Sequence, residues 1–545
     1  MAEERHEQQS PNAELVDPVS LEIFRSALTA IAEEMGAVLT RSAYSPNIKE
    51  RRDFSCALFD RQGRMVAQAA HIPVHLGAMP DSVATALSEF ERFAPGDVIA
   101  LNDPFRGGTH LPDITLISPI FVTDNGEQRL AGFAANRAHH ADVGGISAGS
   151  MPVATEIYQE GIIIPPIKLW EAGEPNKAAL RLLLRNVRTP DERRGDLAAQ
   201  VAANRTAARR LQEIVERSGL ATVETHIEAL IAYAERITRA TLAEIPAGIY
   251  EFTDFLDDDG FSEQPIAIHV TVTVEDGTLT VDFNGSAPEA QGSINAVASV
   301  AKSAVYYVVR CLMPEDAPAN HGTFAPVTII APEGTVVNAR APRPVAGGNV
   351  ETSQRITDTV LGALALALPA VIPAASQGTM NNVTAGGHDP RSGRPFAYYE
   401  TMGGGMGARP HLDGLSGVHV HMSNTLNTPV EAFEFAYPMR IVAYRLRDGS
   451  GGAGEARGGD GLVREIGFEV PTEVTLLTER RRLAPYGLQG GERGQSGENV
   501  LIRDGIEQQL PGKTRFTAQP GDRLAIRSPG GGGWGSVRAR ESAEA

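Results

Sequence analysis

The sequence predicts a mixed α/β (α+β), multi-lobed protein with antiparallel hairpins, a helix-rich middle and a glycine-rich, β-rich C-terminal lobe. Three observations carry this. Apolar residues recur at helical spacing near the N-terminus and through the middle. Alternating apolar runs flank turn dipeptides such as Asn125-Gly126 and Asp276-Gly277. Glycine clusters crowd the last third of the chain. At 545 residues the chain exceeds one core, and ordinary domain size divides it into roughly two to four lobes.

Residues 1–16 read as a disordered tail and 17–175 as an α/β lobe. Asp17 caps a helix with Pro18 in its first turn, and Leu21, Phe24, Leu28, Ile31, Met35, Val38 and Leu39 give it one apolar face. Phe54–Phe59 and Met65–Ala69 flank Gln62-Gly63 as a hairpin, and Pro80–Phe90 is a further helix. Residues 176–247 are helical, with Leu197, Val201, Ala208, Leu211, Ile214 and Val215 forming a stripe. In the 248–375 α/β lobe, Ile266, Ile268, Val270, Val272 and Val274 alternate before a turn into Leu279, Val281 and Phe283. Helices are expected near 296–312 and 352–368. The apolar run Val360–Leu368 is short and stops at Pro369, so it is a buried helix rather than a membrane span. Residues 376–536 form the glycine-rich β lobe, whose glycines suit sharp turns and close backbone approach, and 537–545 a tail.

Chemistry concentrates between Asn102 and Gly145. Ile114–Val122 reads as a strand, Asn125-Gly126 as a two-residue hairpin turn, and Arg129–Ala135 as the returning strand. The hairpin brings His110 and Asp113 beside His139 and His140. With Asn125 and Gly126 central, position 113 pairs with 138, and strict register sets Asp113 on the face of His140. A bulge at Pro119 would shift that register, so either histidine fits. Two imidazoles and a carboxylate suit a divalent ion with open positions, zinc, manganese or iron, able to polarise a carbonyl or activate water. The spare histidine or Asp142 would then orient a ligand.

Two other motifs fail their structural context. Gly530-x-Gly532-x-x-Gly535 has no room for a following helix and strand. Gly512-Lys513-Thr514 has Glu507 where a phosphate loop needs its first glycine. No standard nucleotide site is therefore expected in this chain. The formal net charge of −18 argues against general binding to nucleic acid or anionic membranes. Two cysteines, Cys56 and Cys311, with no CxxC pair, suggest a reducing compartment, and the polar, acidic N-terminus is no signal peptide. A cytoplasmic location is the expectation.

With Asn102–Asp113, His139–Gly145 and Gly161–Pro166 in view, the chain resembles the hydantoinase B family. Arg52-Asp53-Phe54-Ser55, the segments His71–Gly77, Gly347–Ser353 and His421–Glu431, and the closing Pro529–Gly535 extend the likeness from about Asp17 to Gly535. That family includes B subunits or halves of ATP-dependent N-methylhydantoinases, 5-oxoprolinases and lactamases, and related subunits of acetone and acetophenone carboxylases. The resemblance implies a hydantoinase A-type partner that binds ATP in place of this chain. It also implies a metal held by His110, Asp113 and one of His139 or His140.

The implied reaction is hydrolysis of a cyclic amide or imide whose carbonyl oxygen the partner has phosphorylated. Asp53, in an Arg-Arg-Asp turn, is the candidate base; a surface ion pair with Arg51 or Arg52 is the alternative. Weaker candidates are His71 and His75 around Pro73, His419 and His421 on one strand face, and Glu160 and Glu400 beside glycine turns. Two other functions compete: a subunit of a ketone carboxylase, with carbon dioxide in place of water as acceptor, and a non-catalytic scaffold for the A subunit.

Overall fold

The computed structural model describes residues 16–69 and 71–537. The two expected tails therefore lie, but for residues 16 and 537, outside the described residues.

The first sheet has seven strands: β1 (Phe54–Asp60), β2 (Met65–Gln68), β3 (Val98–Leu101), β4 (Asp113–Asp124), β5 (Glu127–His139), β6 (Ile167–Glu171) and β7 (Glu174–Pro175). Their spatial order is β2-β1-β5-β4-β3-β6-β7, antiparallel throughout. The sheet is covered on both faces, which is why β1 is buried along its whole length. Cys56, Leu58, Ala134 and Ala138 pack on helix Pro18–Ser42, through Leu28, Ile31 and Met35, and on helix Pro190–Ser218, through Ala203 and Ala207. Ala57, Phe59, Phe133 and Ala135 point the other way, onto Met79, Val83 and Ala86 of helix Ala78–Glu89. Each fully buried aliphatic side chain contributes about 1.5–3 kcal/mol. Asp17 caps the first helix by accepting from the Ser20 N–H.

The second sheet runs β11-β10-β9-β8, from β8 (Gly248–Leu256), β9 (Ile266–Glu275), β10 (Thr278–Asp282) and β11 (Val327–Ile330). Helix Ser353–Ala367, buried at nearly every residue, packs on β8 and β9. The apolar run is thus an internal helix, and no helix among the described residues is long and apolar enough to cross a membrane.

Two further antiparallel sheets fill the C-terminal part. Arg394–Glu400, Asn382–Asp389, Thr472–Leu477 and Lys513–Ala518 form one. Met439–Arg447, Gly461–Phe468, Arg523–Arg527, Glu498–Arg503 and Ile506–Leu510 form the other. The Gly530–Gly533 run threads between backbones. A Cβ on Gly530, Gly531 or Gly532 would lie 2.0, 2.1 or 2.0 Å from a carbonyl oxygen of Ser450, Met406 or Tyr486. Close approach, not phosphate binding, explains that run. Lys513 opens a strand and its ammonium is buried against Glu479 at 2.5 Å.

Candidate metal centre

The β4–β5 hairpin turns at Asn125-Gly126 with Asp124 opposite Glu127. Its register shifts once, between Ile120 and Phe121, where Ala131 is left without a partner. Asp113 therefore pairs with His139, not with position 138 as uninterrupted counting predicts. The bulge lies just past Pro119, and it moves the face choice from His140 to His139. Gly132 beside it makes this geometry possible: a Cβ there would sit 2.2 Å from the Phe59 carbonyl oxygen.

Asp113 and His139 consequently project from the same face, and a turn of chain brings His110 to them. One ligand atom from each of His110, Asp113 and His139 lies within 4.8 Å of the others, and all three residues are buried. His110 Nε2 is 3.1 Å and His139 Nδ1 3.2 Å from Asp113 Oδ1. The other carboxylate oxygen accepts from Thr109 Oγ1 at 2.7 Å and from Asn349 Nδ2 at 3.3 Å, and His75 Nε2 is 3.4 Å away. Burial opposes the charge on Asp113, yet His110, His139 and His75 hold its carboxyl well below the usual range. Burial lowers the pKa of His139.

The hydrogen bonds leave the lone pair of His110 Nε2 facing a carboxylate oxygen of Asp113 at 3.1 Å. His110 Nδ1 faces the Ala346 carbonyl oxygen at 3.2 Å. A carbonyl can only accept, so Nδ1 carries the hydrogen and neutral His110 has its lone pair on Nε2. Asn349 Nδ2 donates to that Nε2 at 3.0 Å. His139 Nε2 and Asn349 Oδ1 are buried and find no hydrogen-bond partner among the described residues. Two imidazoles and a carboxylate converging in this way fit a divalent cation.

Beside the cluster lies a cavity of about 20 Å³, lined by Asp53, His75, Asp113, His139, Asn349 and Tyr399, with Thr401, Ser423 and Thr425 among the other walls. That volume admits about one water. Tyr399 stacks on the His139 ring at 4.2 Å between centroids. Asp53 lies 3.7 Å from Arg51 Nη2, and Arg51 is anchored on the Tyr399 carbonyl at 3.0 Å and Thr401 Oγ1 at 2.8 Å. Asp53 is thus a buried cavity wall rather than half of a surface ion pair.

The remaining candidates separate. His140 projects to the opposite face, where its Nε2 meets Gln200 Oε1 at 3.0 Å; burial pushes its pKa down to about 4. It is not among the three converging groups. Asp142 binds Arg188 at 2.8 Å. His75 reaches the site, held through Nδ1 by Ser55 Oγ at 2.9 Å, whereas His71 packs against Phe54 and Gly36. His419 and His421 do not share a strand: His421 sits in a turn with φ 53° and binds Asp358, and His419 binds Ser423. Glu400 is ion-paired with Arg464 at 2.8 Å. Glu160 receives the backbone N–H groups of Val345 and Ala346, and burial raises its pKa to about 7.

Sequence reasoning passed over Thr109, Tyr399 and Asn349. Asn349 stands in the Gly347–Ser353 segment, whose π-helical turn Gly348–Thr352 is a geometry frequent at functional sites.

The model of the family described as Hydantoinase B/oxoprolinase matches residues 17–537. 5-Oxoprolinase 1 of Arabidopsis thaliana is 41% identical over 551 residues; the match takes in 96% of this chain and 42% of that protein. This chain thus spans well under half of that relative. The crystal structure of an ATP-dependent caprolactamase from Pseudomonas jessenii superposes with a TM-score of 0.89 at 32% identity, covering 96% of this chain and 92% of that one. Nucleotide-free acetone carboxylase superposes at a TM-score of 0.87 and 19% identity over 97% of this chain and 77% of that one, a likeness of fold alone. The chain belongs to the hydantoinase B/oxoprolinase family.

Proposed function

We propose that this chain is the B-type component of an ATP-dependent hydrolase of cyclic amides or imides, of hydantoin or 5-oxoproline type. The observation that carries this reading is the convergence of His110, Asp113 and His139 on one another, beside a small cavity that Asp113 and His139 help to line. The 32% identity to a caprolactamase chain of similar length supports hydrolysis over carboxylation. An A-type partner would bind ATP and phosphorylate the ring carbonyl, because an unstrained amide is a poor electrophile.

In this reading His110, Asp113 and His139 hold a divalent zinc, manganese or iron ion. When bound, such an ion supplies Lewis acidity and brings the pKa of water toward neutrality. Asp53, braced by Arg51, accepts a proton from the attacking water. His75 and Thr109 fix the Asp113 carboxylate. Tyr399 fixes the His139 ring plane. Ligand pockets usually exceed 300 Å³ or so, so admitting a ring requires the walls of this cavity of about 20 Å³ to open.

The test is ring opening of hydantoin, 5-oxoproline and caprolactam by the chain co-purified with its A-type partner, followed by chromatography with ADP release. ATP-dependent opening of at least one ring, lost in His110→Ala, supports the reading. ATP-dependent fixation of labelled bicarbonate into a ketone, without ring opening, would replace it with the carboxylase. Ring opening that persists in His110→Ala would favour the scaffold.

A further inference from the structure

We infer that Glu160 is a positioning residue for this centre: it clamps the Val345–Ala346 backbone and, through the Ala346 carbonyl, fixes the His110 tautomer that presents a lone pair at Nε2. The inference rests on the metal reading above and names how that site is held in register.

Glu160 is fully buried at the end of the short helical turn Ile157–Gln159. Its Oε2 accepts from the Val345 N–H at 3.1 Å and its Oε1 from the Ala346 N–H at 3.0 Å. Val345–Asn349 then addresses both nitrogens of one imidazole. The Ala346 carbonyl takes the hydrogen of His110 Nδ1, and Asn349 Nδ2 donates to Nε2 and to Asp113 Oδ2. One carboxylate thereby anchors the segment that orients two members of the cluster.

The other side of Glu160 is tied to the chain leaving His139. The Ile146 N–H donates to the Gln159 carbonyl at 2.8 Å, and a Cβ on Gly145 would lie 2.7 Å from the Glu160 carbonyl. Glu160 therefore bridges the exit of β5 and the 345–349 segment, which carry His139 and the two partners of His110.

A structural clamp of two N–H groups needs no charge. A buried carboxylate ordinarily faces a lysine or arginine, yet the oxygens of Glu160 meet the backbone N–H groups of Val345 and Ala346, and among the described residues it makes no ion pair with either cation within 4.0 Å. A negative group behind His110 suits a cation held in front of it, as outer-shell carboxylates do for metal-ligating histidines.

The test uses the full-length chain and Co²⁺ as probe. Dissociation constants come from chelator competition, and the visible absorption band reports the ligand field. Wild type, Glu160→Gln, Glu160→Asp, His110→Ala and the His110→Ala/Glu160→Gln double variant are compared. Glu160→Gln should weaken Co²⁺ binding about 10–100-fold and shift the band, because the amide NH2 would face one of the two N–H groups and leave it without an acceptor. Glu160→Asp, which keeps the charge, should recover part of the loss and serves as the reading if the Gln variant does not fold. In the His110→Ala background, Glu160→Gln should cost less than in wild type, because only the Asn349–Asp113 contact is left for it to act through. Unchanged Co²⁺ affinity in both Glu160 variants, or an equal loss with and without His110, would overturn the inference while leaving the metal reading intact. No Co²⁺ binding by wild type would overturn the metal reading and this inference with it.

Discussion

Where the second sheet meets the C-terminal strands, Arg480 lies 2.7 Å from Asp254 and 2.9 Å from Asp358, and Lys513 lies 2.5 Å from Glu479 and 3.3 Å from Asp258. Arg355 adds contacts to Asp254 and Glu479. Every carboxylate of this group faces a cation supplied by the chain. At His110, Asp113 and His139 the burial is as deep, but Asp113 contacts histidines, a threonine hydroxyl and an asparagine amide. Buried charge completed by the chain's own cations is a structural staple. Buried donors whose lone pairs converge are a place for a ligand. Burial and charge alone would not separate the two; the accounting of hydrogen-bond partners does.

Breaking each cluster should have opposite consequences. The largest effect is expected from Asp113→Ala, which should cut the proposed ring-opening activity, assayed with an A-type partner, by roughly 10³-fold or more, beyond the 10–100-fold cost of an outer-shell residue, while urea midpoints shift little. Arg480→Met should do the reverse in kind. Leaving Asp254 and Asp358 buried beside a lost cation should destabilise by about 3–5 kcal/mol in urea unfolding, with Co²⁺ affinity unchanged in the fraction that stays folded. Equal effects of the two variants on stability would erase the distinction.

His140→Ala sharpens the comparison within one dipeptide. His140 bonds Gln200 on the far face of the sheet, so its loss should cost about 1–2 kcal/mol of stability and leave metal binding untouched. Competitive chelator titration checks this directly.

The last effect is a slope. Glu351 is buried, and burial first, then the neighbouring Glu479, raise its pKa to about 8. Between about 4.5 and about 8 the folded state keeps a proton that the unfolded state releases, so its contribution to stability falls as pH rises through that window. Glu351→Gln should flatten the decline; an unchanged slope in pH-dependent urea titrations would remove Glu351 as its source.

The hairpin, its Asn-Gly turn and the meeting of His110 and Asp113 with the 139–140 pair were legible because turn chemistry and strand alternation are local. The choice between His139 and His140 was not. It turns on one unpaired residue, Ala131, and counting from the turn cannot see it. Pro119 signalled that a bulge could occur, and Gly132, a glycine inside a strand, was a second signal, since such glycines often mark a bulge. His75 and Asn349 needed the tertiary fold, since 38 and 236 residues separate them from Asp113 along the chain. His419 and His421 misled because alternation two apart also occurs in irregular chain, here bent by the left-handed backbone at His421. The buried helix Ser353–Ala367 was read correctly from its length and its closing proline.

The most direct measurement is elemental analysis of metal in the purified chain and in Asp113→Ala, His139→Ala and His140→Ala. The account predicts near-stoichiometric divalent metal in wild type and His140→Ala, and its loss in Asp113→Ala and His139→Ala with the fold retained. Metal absent from wild type, or equal in all four proteins, would contradict it.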